Sequence, residues 1–352
     1  MIKVALMSMK EMEKRIGQGI PKYTLYLYKY EKLLEKTYNT LVSKVYLPYN
    51  KLLGDALSFE LSSFFKRPNL KSFDIIHIPT GFFIFHNKPK NVKYVTTIHD
   101  TNPMIVSKSL KYKIKNKLWR YLAFRRGLKF NINIADAVIV NSTQTKEEVL
   151  RLGTKKKVYV INLGVDKKFL TPKKFEKKRM NKKFYIGYVG SFATNKNIDF
   201  ILDTANIIND ESIEFHLWGA KTYTYEELIK KAGSNVKFRG FAPEKKIVKI
   251  YDTFDVFIFP SLYEGFGLPI MEAQARGLPV IIYKHGKIPK EVRKYCFEAE
   301  DPEHAVEIIE NLKENGYNEK ERKKAMKYAR SFTWEKTARE TLKLYNKVSN
   351  EK

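Results

Sequence analysis

Asp255-Val-Phe-Ile-Phe-Pro-Ser-Leu-Tyr-Glu-Gly-Phe-Gly-Leu-Pro-Ile-Met-Glu272 reads as a buried strand, a glycine turn and the opening of a helix. The run Val256–Pro260 is continuously apolar, as a strand covered on both faces must be. Gly265 and Gly267 let backbone N–H groups approach a ligand closely, and Pro269 suits a first helical turn. The positive end of that helix would face the same point, which favours phosphate or another anionic group. Glu264 would project from the loop and Glu272 would sit a turn into the helix. These two carboxylates can both accept hydrogen bonds from a polyhydroxylated ligand. A glycine turn carrying two solvated glutamates is the plainer alternative.

The same rhythm extends in both directions. Ile2–Met7, Asp74–Ile78, Tyr94–Ile98 and Ala137–Val140 are short β-rich runs. A helical pattern covers Tyr23–Lys36, and Leu110, Ile114, Leu118 and Leu122 recur at helical spacing within Ser107–Asn131. Ser142 is placed to cap a helix around Lys146–Leu152. The segment 171–183 (TPKKFEKKRMNKK) is basic and aperiodic, the best linker in the chain. The alternation then restarts with strands at Tyr185–Val189, Glu214–Leu217, Val236–Phe238, Val256–Phe259 and Pro279–Ile282. Helices are expected at Ile198–Ile208, Lys246–Thr253, Pro269–Arg276, Pro302–Asn315 and Trp334–Lys347. Strand and helix in alternation define an α/β fold with parallel sheets. We expect two Rossmann-like domains, 1–172 and 184–330, facing each other across a cleft, with 331–352 a terminal helix.

With 352 residues, 43% of them hydrophobic, the chain can fill two cores. Cys296 is the single cysteine, so no internal disulfide forms and a reducing, cytoplasmic setting is expected. No secretory signal is expected, and no apolar run approaches the ~20 residues of a membrane span. The net charge of +28 is uneven: residues 1–180 hold 37 Lys and Arg against 13 Asp and Glu, the remainder 29 against 25. A lysine-biased proteome would raise both halves alike. The asymmetry points to an anionic neighbour of the first half, such as a membrane surface. Ser107–Lys129, with nine basic residues and no acid, is the segment that would lie on such a surface.

Three further stretches carry candidate chemistry. Tyr188-Val-Gly-Ser-Phe-Ala-Thr-Asn-Lys-Asn197 is a strand followed by a loop with Lys196, which taken alone reads more often as a surface lysine. Thr96-Thr-Ile-His99-Asp100 ends a strand in a histidine and an aspartate. Ligands in parallel sheets meet the carboxyl ends of strands, so both residues are candidates; a capping Asp and a structural His are the alternatives. His77, which ends another strand, is read as structural. Ile16-Gly-Gln-Gly19-Ile20 offers a glycine turn before a helix, with the Gly19 N–H available to a phosphate. A dinucleotide fingerprint is not met, because Lys22 stands where the third glycine belongs.

The frame E-G-F-G-x-P-x-x-E at 264–272 resembles the signature of the retaining family-four glycosyltransferases, which share the GT-B fold. The resemblance runs over nearly the whole length. It implies that Glu264 contacts the transferred sugar, Glu272 the ribose of the nucleotide, and the backbone of Phe266, Gly267 and Leu268 the sugar or diphosphate. Lys196 matches the family's lysine for the leaving diphosphate. Ser191 and Asn195 occupy positions where the family often has basic residues. His99 falls where the family places a group near the transferred sugar, Asp100 beside it to position the acceptor, and Gly19 in its glycine-rich first loop. The implied activity is transfer of a hexose, mannose weakly favoured, from a GDP- or UDP-linked donor to a glycan or lipid-linked acceptor by front-side substitution. No Asp-x-Asp motif follows a strand, so metal-independent transfer is expected, and no cofactor beyond the nucleotide sugar, which is a substrate.

Two rivals remain in view: a GT-B epimerase, and a basic nucleic-acid-binding protein. The second lacks a zinc pattern, an RNP-like motif or a recognisable helix-turn-helix, and leaves the glutamate frame unexplained. Nucleic acid is therefore not an expected partner. The enzyme is expected to be peripheral to the inner face of the cell membrane if the basic half meets lipid.

Overall fold

The structure, a computed structural model, describes residues 1–8, 19–47, 69–81, 89–101, 117–171, 183–222 and 225–351. The Gly17 turn, the basic stretch 107–116 and the linker residues 172–182 lie outside them. The described chain divides into two compact units: Met1–Gly164 with Trp334–Lys352, and Val165–Thr333. The first unit ends at Gly164, not at 172, because the segment 165–171 is built into the second: Phe169 packs edge-on against Tyr251, and the carbonyls of Phe169 and Thr171 accept from Arg276.

In the first unit Ile2–Ser8 (β1), Thr40–Tyr46 (β2), Ile75–Ile78 (β3), Lys93–Ile98 (β4), Ala137–Val140 (β5) and Val158–Val160 (β6) form a parallel sheet in the order β2-β1-β3-β4-β5-β6. The helix Gly19–Tyr38 is longer than its apolar pattern foretold and packs with the terminal helix Trp334–Asn350. Trp334 is buried and stacks 5.2 Å from Tyr26. The helix Lys117–Ile134 buries Leu128 and Ile132 in the core and leaves Arg125, Arg126 and Lys129 exposed. This is the amphipathic division expected of a helix at a domain surface. Ser142 accepts from Thr145 N and caps the helix Thr143–Leu150.

The second unit repeats the plan with Phe184–Val189 (β7), Ile213–Trp218 (β8), Val236–Gly240 (β9), Val256–Ile258 (β10), Val280–Tyr283 (β11) and Phe297–Ala299 (β12). Their order is β12-β11-β10-β7-β8-β9, again all parallel. The strands β2, β12 and β6 and the helices Tyr225–Lys231, Lys290–Arg293 and Glu319–Arg330 were not expected. The first is an edge strand with polar residues interleaved, the second only three residues long, and Glu319–Arg330 is so polar that its apolar stripe reduces largely to alanines. Periodicity finds such elements poorly, since little apolar surface marks them.

One local device recurs. Asp74, Asp136 and Asp255 each stand just before an apolar strand and accept from the backbone N–H of the second residue of the neighbouring one: Lys3 at 2.7 Å, Tyr94 at 2.7 Å and Tyr185 at 2.8 Å. Each pins the register of two parallel strands at the amino edge, where a ladder would otherwise leave a donor unpaired. Among the described residues no helix is long and apolar enough to cross a membrane.

The second unit holds one buried cation at its base. Arg276 is 1% exposed and forms paired bonds to Asp252, Nε to Oδ1 and Nη2 to Oδ2 at 2.8 Å each, while Nη1 reaches the Thr171 carbonyl at 2.6 Å. A fork of this kind satisfies a guanidinium that has left water. Arg276→Ala would strand the Asp252 carboxylate and two carbonyls. We expect a loss of about 3 kcal/mol in urea unfolding, the low end for a broken buried pair because Asp252 keeps some solvent. An unchanged midpoint would show that the fork contributes nothing.

Candidate active site

In the second sheet the connections leaving β7 and β10 run to opposite sides, so the strand order reverses between these two neighbours. A parallel sheet offers a ligand crevice at the carboxyl end of such a switch point. The two loops that begin there are 190–197 after β7 and 259–267 after β10, the stretches that hold Lys196 and Glu264.

Backbone bonds lace these loops together. Leu262 N donates to the Asn195 carbonyl, Lys287 N to Leu262 and Glu264 N to Lys287, each at 2.9 Å. Tyr188, buried under the sheet, donates from its hydroxyl to the Ser191 carbonyl at 2.7 Å, and Thr222 Oγ1 donates to the Phe192 carbonyl at 2.7 Å. A Cβ on Gly219 would stand 2.0 Å from the Gly190 carbonyl oxygen, so only glycine lets β8 end beside the loop of β7. Within this frame Lys196 Nζ meets Glu264 Oε1 at 2.5 Å, with both side chains mostly buried. The ammonium lies 5.3 Å from the centroid of the Phe259 ring, an apolar floor with a favourable quadrupole. Two residues that are 68 apart in sequence thus act as one charged pair.

Gly267 opens the next helix, Leu268–Ala275, from a left-handed φ of 100°. A side chain is strained there, and its Cβ would also crowd Val292 at 3.2 Å. The Phe266 ring is buried against Phe332, and Leu268 is half-buried. Glu272 sits in the helix, 5% exposed, and accepts from the Tyr251 hydroxyl at 3.2 Å.

In the first unit His99 lies at the carboxyl end of β4 and is buried, with Asp100 half-exposed beside it. His99 Nε2 donates to the Pro79 carbonyl at 2.9 Å, and Tyr23 packs edge-on at 4.6 Å between ring centroids. Burial pulls the imidazole pKa down to about 4, against the carbonyl bond, which works upward. The ring is therefore neutral near pH 7, and its Nδ1 is an acceptor. His77 is held on both ring nitrogens, by Tyr345 OH at 2.6 Å and Thr97 Oγ1 at 2.8 Å, and Thr97 Oγ1 also meets Tyr23 OH at 3.0 Å. Burial first, and His99 second, bring the His77 pKa down to about 3. Its structural reading fits these contacts. Gly19 begins the helix Gly19–Tyr38, exposed, with nothing within 4 Å of a built Cβ.

Sequence reasoning missed Tyr251, Tyr23 and Arg276, whose partners lie on other elements. It also missed the pairing of Lys196 with Glu264, for which the adjoining of β7 and β10 was the only signal.

Two parallel six-stranded sheets, each packed with helices, define the GT-B fold. Residues 22–169 match the family model for "Glycosyltransferase Family 4" and residues 171–332 that for "Glycosyl transferases group 1". The chain belongs to the family-four glycosyltransferases, and it is a glycosyltransferase. It is 23% identical over 292 residues to the O-antigen chain mannosyltransferase B of Escherichia coli, covering 77% of this chain and 74% of that one. Among solved structures, a sucrose-phosphate synthase from Thermosynechococcus elongatus superposes with a TM-score of 0.72 at 18% identity over 99% of each chain. HepE of Anabaena, solved with UDP and glucose, does so with a TM-score of 0.66 at 15% identity, over 99% of this chain and 100% of that one.

The two depressed histidines set an acid limit. Above the ordinary histidine value of 6.5 both states are neutral and no stability depends on these groups. As pH falls from 6.5 toward about 4 for His99 and about 3 for His77, the unfolded chain takes up protons that the folded one refuses. Stability should fall by ~1.4 kcal/mol per proton per pH unit in that window. Urea unfolding at pH 5 and pH 7 measures the slope, and His99→Gln should remove about one proton from it. A slope equal in both proteins would mean that His99 titrates normally.

Proposed function

We propose that the protein is a retaining hexosyltransferase that moves a hexose, mannose before glucose, from a GDP- or UDP-linked donor to a glycan or lipid-linked acceptor. The observation that carries this reading is the joining of Lys196 and Glu264 at the switch point of the second sheet, beside the helix that holds Glu272. The resemblance of the glutamate frame, the mannosyltransferase name of the Escherichia coli relative and the UDP bound to HepE support the donor class.

In this reading the bond between the sugar's anomeric carbon and the diphosphate oxygen breaks while the acceptor oxygen bonds to the same face of that carbon. The diphosphate leaves with the bonding electron pair and accepts the acceptor's proton. Lys196 meets the charge that grows on the leaving oxygens, as does the amino end of the Leu268–Ala275 helix, where the backbone of Phe266, Gly267 and Leu268 approaches the ligand. These groups do the work without a metal or an organic cofactor. Glu264 shares the ammonium and accepts from a sugar hydroxyl, so charge and sugar position are set by one pair. Glu272 accepts from the ribose. His99 and Asp100 serve the acceptor side, His99 through its neutral Nδ1 as acceptor, and Gly19 offers a helix N-terminus to phosphate.

A panel of nucleotide sugars screened by thermal shift identifies the donor, since a true ligand raises stability by mass action. With it, Glu272→Ala should weaken nucleotide binding, while Glu264→Ala should lower turnover more than nucleotide affinity. Each effect should be roughly 10- to 100-fold, the scale of a lost hydrogen bond to a charged group. Wild-type turnover in both variants rejects the assignment.

The acceptor is proposed to be presented at an anionic surface that the basic first half contacts. Each basic residue near such a leaflet contributes about 1 kcal/mol, screened by salt. We expect cosedimentation with anionic but not neutral vesicles at low salt, weakened when the exposed Arg125, Arg126 and Lys129 become Gln. Equal behaviour toward both vesicle types removes the surface from the proposal.

A further inference from the structure

Glu272 has a companion that its proposed role does not use. Tyr251 ends the helix Ile247–Asp252, fully buried, with its ring stacked 5.3 Å from Phe257 and edge-on to Phe169 at 5.3 Å. These contacts leave the phenol oxygen a single place, 3.2 Å from Glu272 Oε2. Burial, and then the nearby charge of Glu272, push the phenol's pKa upward, so the hydroxyl keeps its proton and is the donor. The next residue, Asp252, takes the fork of Arg276, one helical turn beyond Glu272. Two consecutive residues of one helix thus grip two consecutive turns of another. The second grip settles the height of the Leu268–Ala275 helix, and the first settles the direction of its carboxylate.

We propose that Tyr251 is a positioning residue, whose hydroxyl holds the Oε2 edge of Glu272 so that the carboxylate meets the donor's ribose diol in one orientation. The proposal rests on the reading of Glu272 as the ribose partner. An unheld glutamate has three side-chain torsions to fix on binding a diol. A held one presents its lone pairs in place, and the gain appears in affinity for ribose hydroxyls alone. Tyr251 also ties recognition of the nucleotide to the packing of Phe169 and Phe257, residues that touch no proposed substrate group.

Tyr251→Phe removes one oxygen and keeps the ring. Isothermal titration with UDP and GDP, and with their 2′,3′-dideoxy counterparts, would be carried out on the wild type, Tyr251→Phe, Glu272→Ala and the double variant. The wild type should bind the ribonucleotide more tightly than the dideoxy form. Tyr251→Phe should weaken the ribonucleotide roughly tenfold and leave the dideoxy form unchanged. In the Glu272→Ala background the tyrosine change should add nothing, because two residues acting through one contact are not additive. If the wild type discriminates and Tyr251→Phe discriminates equally well, the positioning role fails and Glu272 remains the ribose partner. Equal weakening of both nucleotides, with a lower melting temperature, would make the tyrosine merely structural. No discrimination by the wild type would overturn the role of Glu272, and with it the proposal.

Discussion

A parallel sheet sends the carboxyl end of every strand to one edge, and the order of the strands decides which loops meet there. In the second unit that order places β10 directly beside β7, with Val256 on Ile186 and Phe257 on Gly187, although 66 residues lie between the end of β7 and the start of β10. Everything proposed for the chemistry depends on this adjacency. It brings the loop with Lys196 against the loop with Glu264; the bond from Leu262 N to the Asn195 carbonyl joins the two, and two more tie the second loop to Lys287. Without the pairing of these two strands, the lysine and the glutamate would be two ordinary solvated charges.

The strands can lie side by side only because their edges are sealed. Asp255 accepts from the N–H of the second residue of β7, as Asp74 and Asp136 do for β1 and β4 in the first unit. Glycines are required where backbone meets backbone, at Gly219 against the Gly190 carbonyl, and where the chain turns left-handed, at Gly267. Apolar burial supplies the general drive to form these layers. The aspartates and glycines select the register, and register is what sets the distance between charged groups on neighbouring loops.

The two units use their buried polar groups differently. In the second, Arg276 and Asp252 form a charged fork at the end of the Leu268–Ala275 helix, and Lys196 with Glu264 a charged pair between the loops that follow β7 and β10. In the first, one buried polar network is neutral: His77, Thr97, Tyr23 and Tyr345 are joined by hydrogen bonds, and both buried histidines are kept unprotonated. Glu31, buried in the same region, has its pKa pushed well up by desolvation. A neutral network gives His99 a fixed tautomer and a hydrogen-bonding role that does not change across the physiological range. The charged groups suit the diphosphate proposed for that unit.

The amino-acid sequence by itself determined the alternation of strand and helix, the helix opened by Pro269, the cap at Ser142 and the glutamate frame at 264–272, because each is a local pattern of burial or backbone conformation that a few neighbouring residues impose. The residue types of the candidate site were legible for the same reason. Only the tertiary structure decided that Lys196 pairs with Glu264, that Tyr251 bonds to Glu272, that Arg276 closes on Asp252 and Thr171, and that the segment 165–171 belongs with the second unit. It also supplied the edge strands β2 and β12, which carry little apolar pattern of their own. These features arise from strand order and from contacts between residues far apart in the chain, and a spacing along one chain holds no record of which strand will lie beside which.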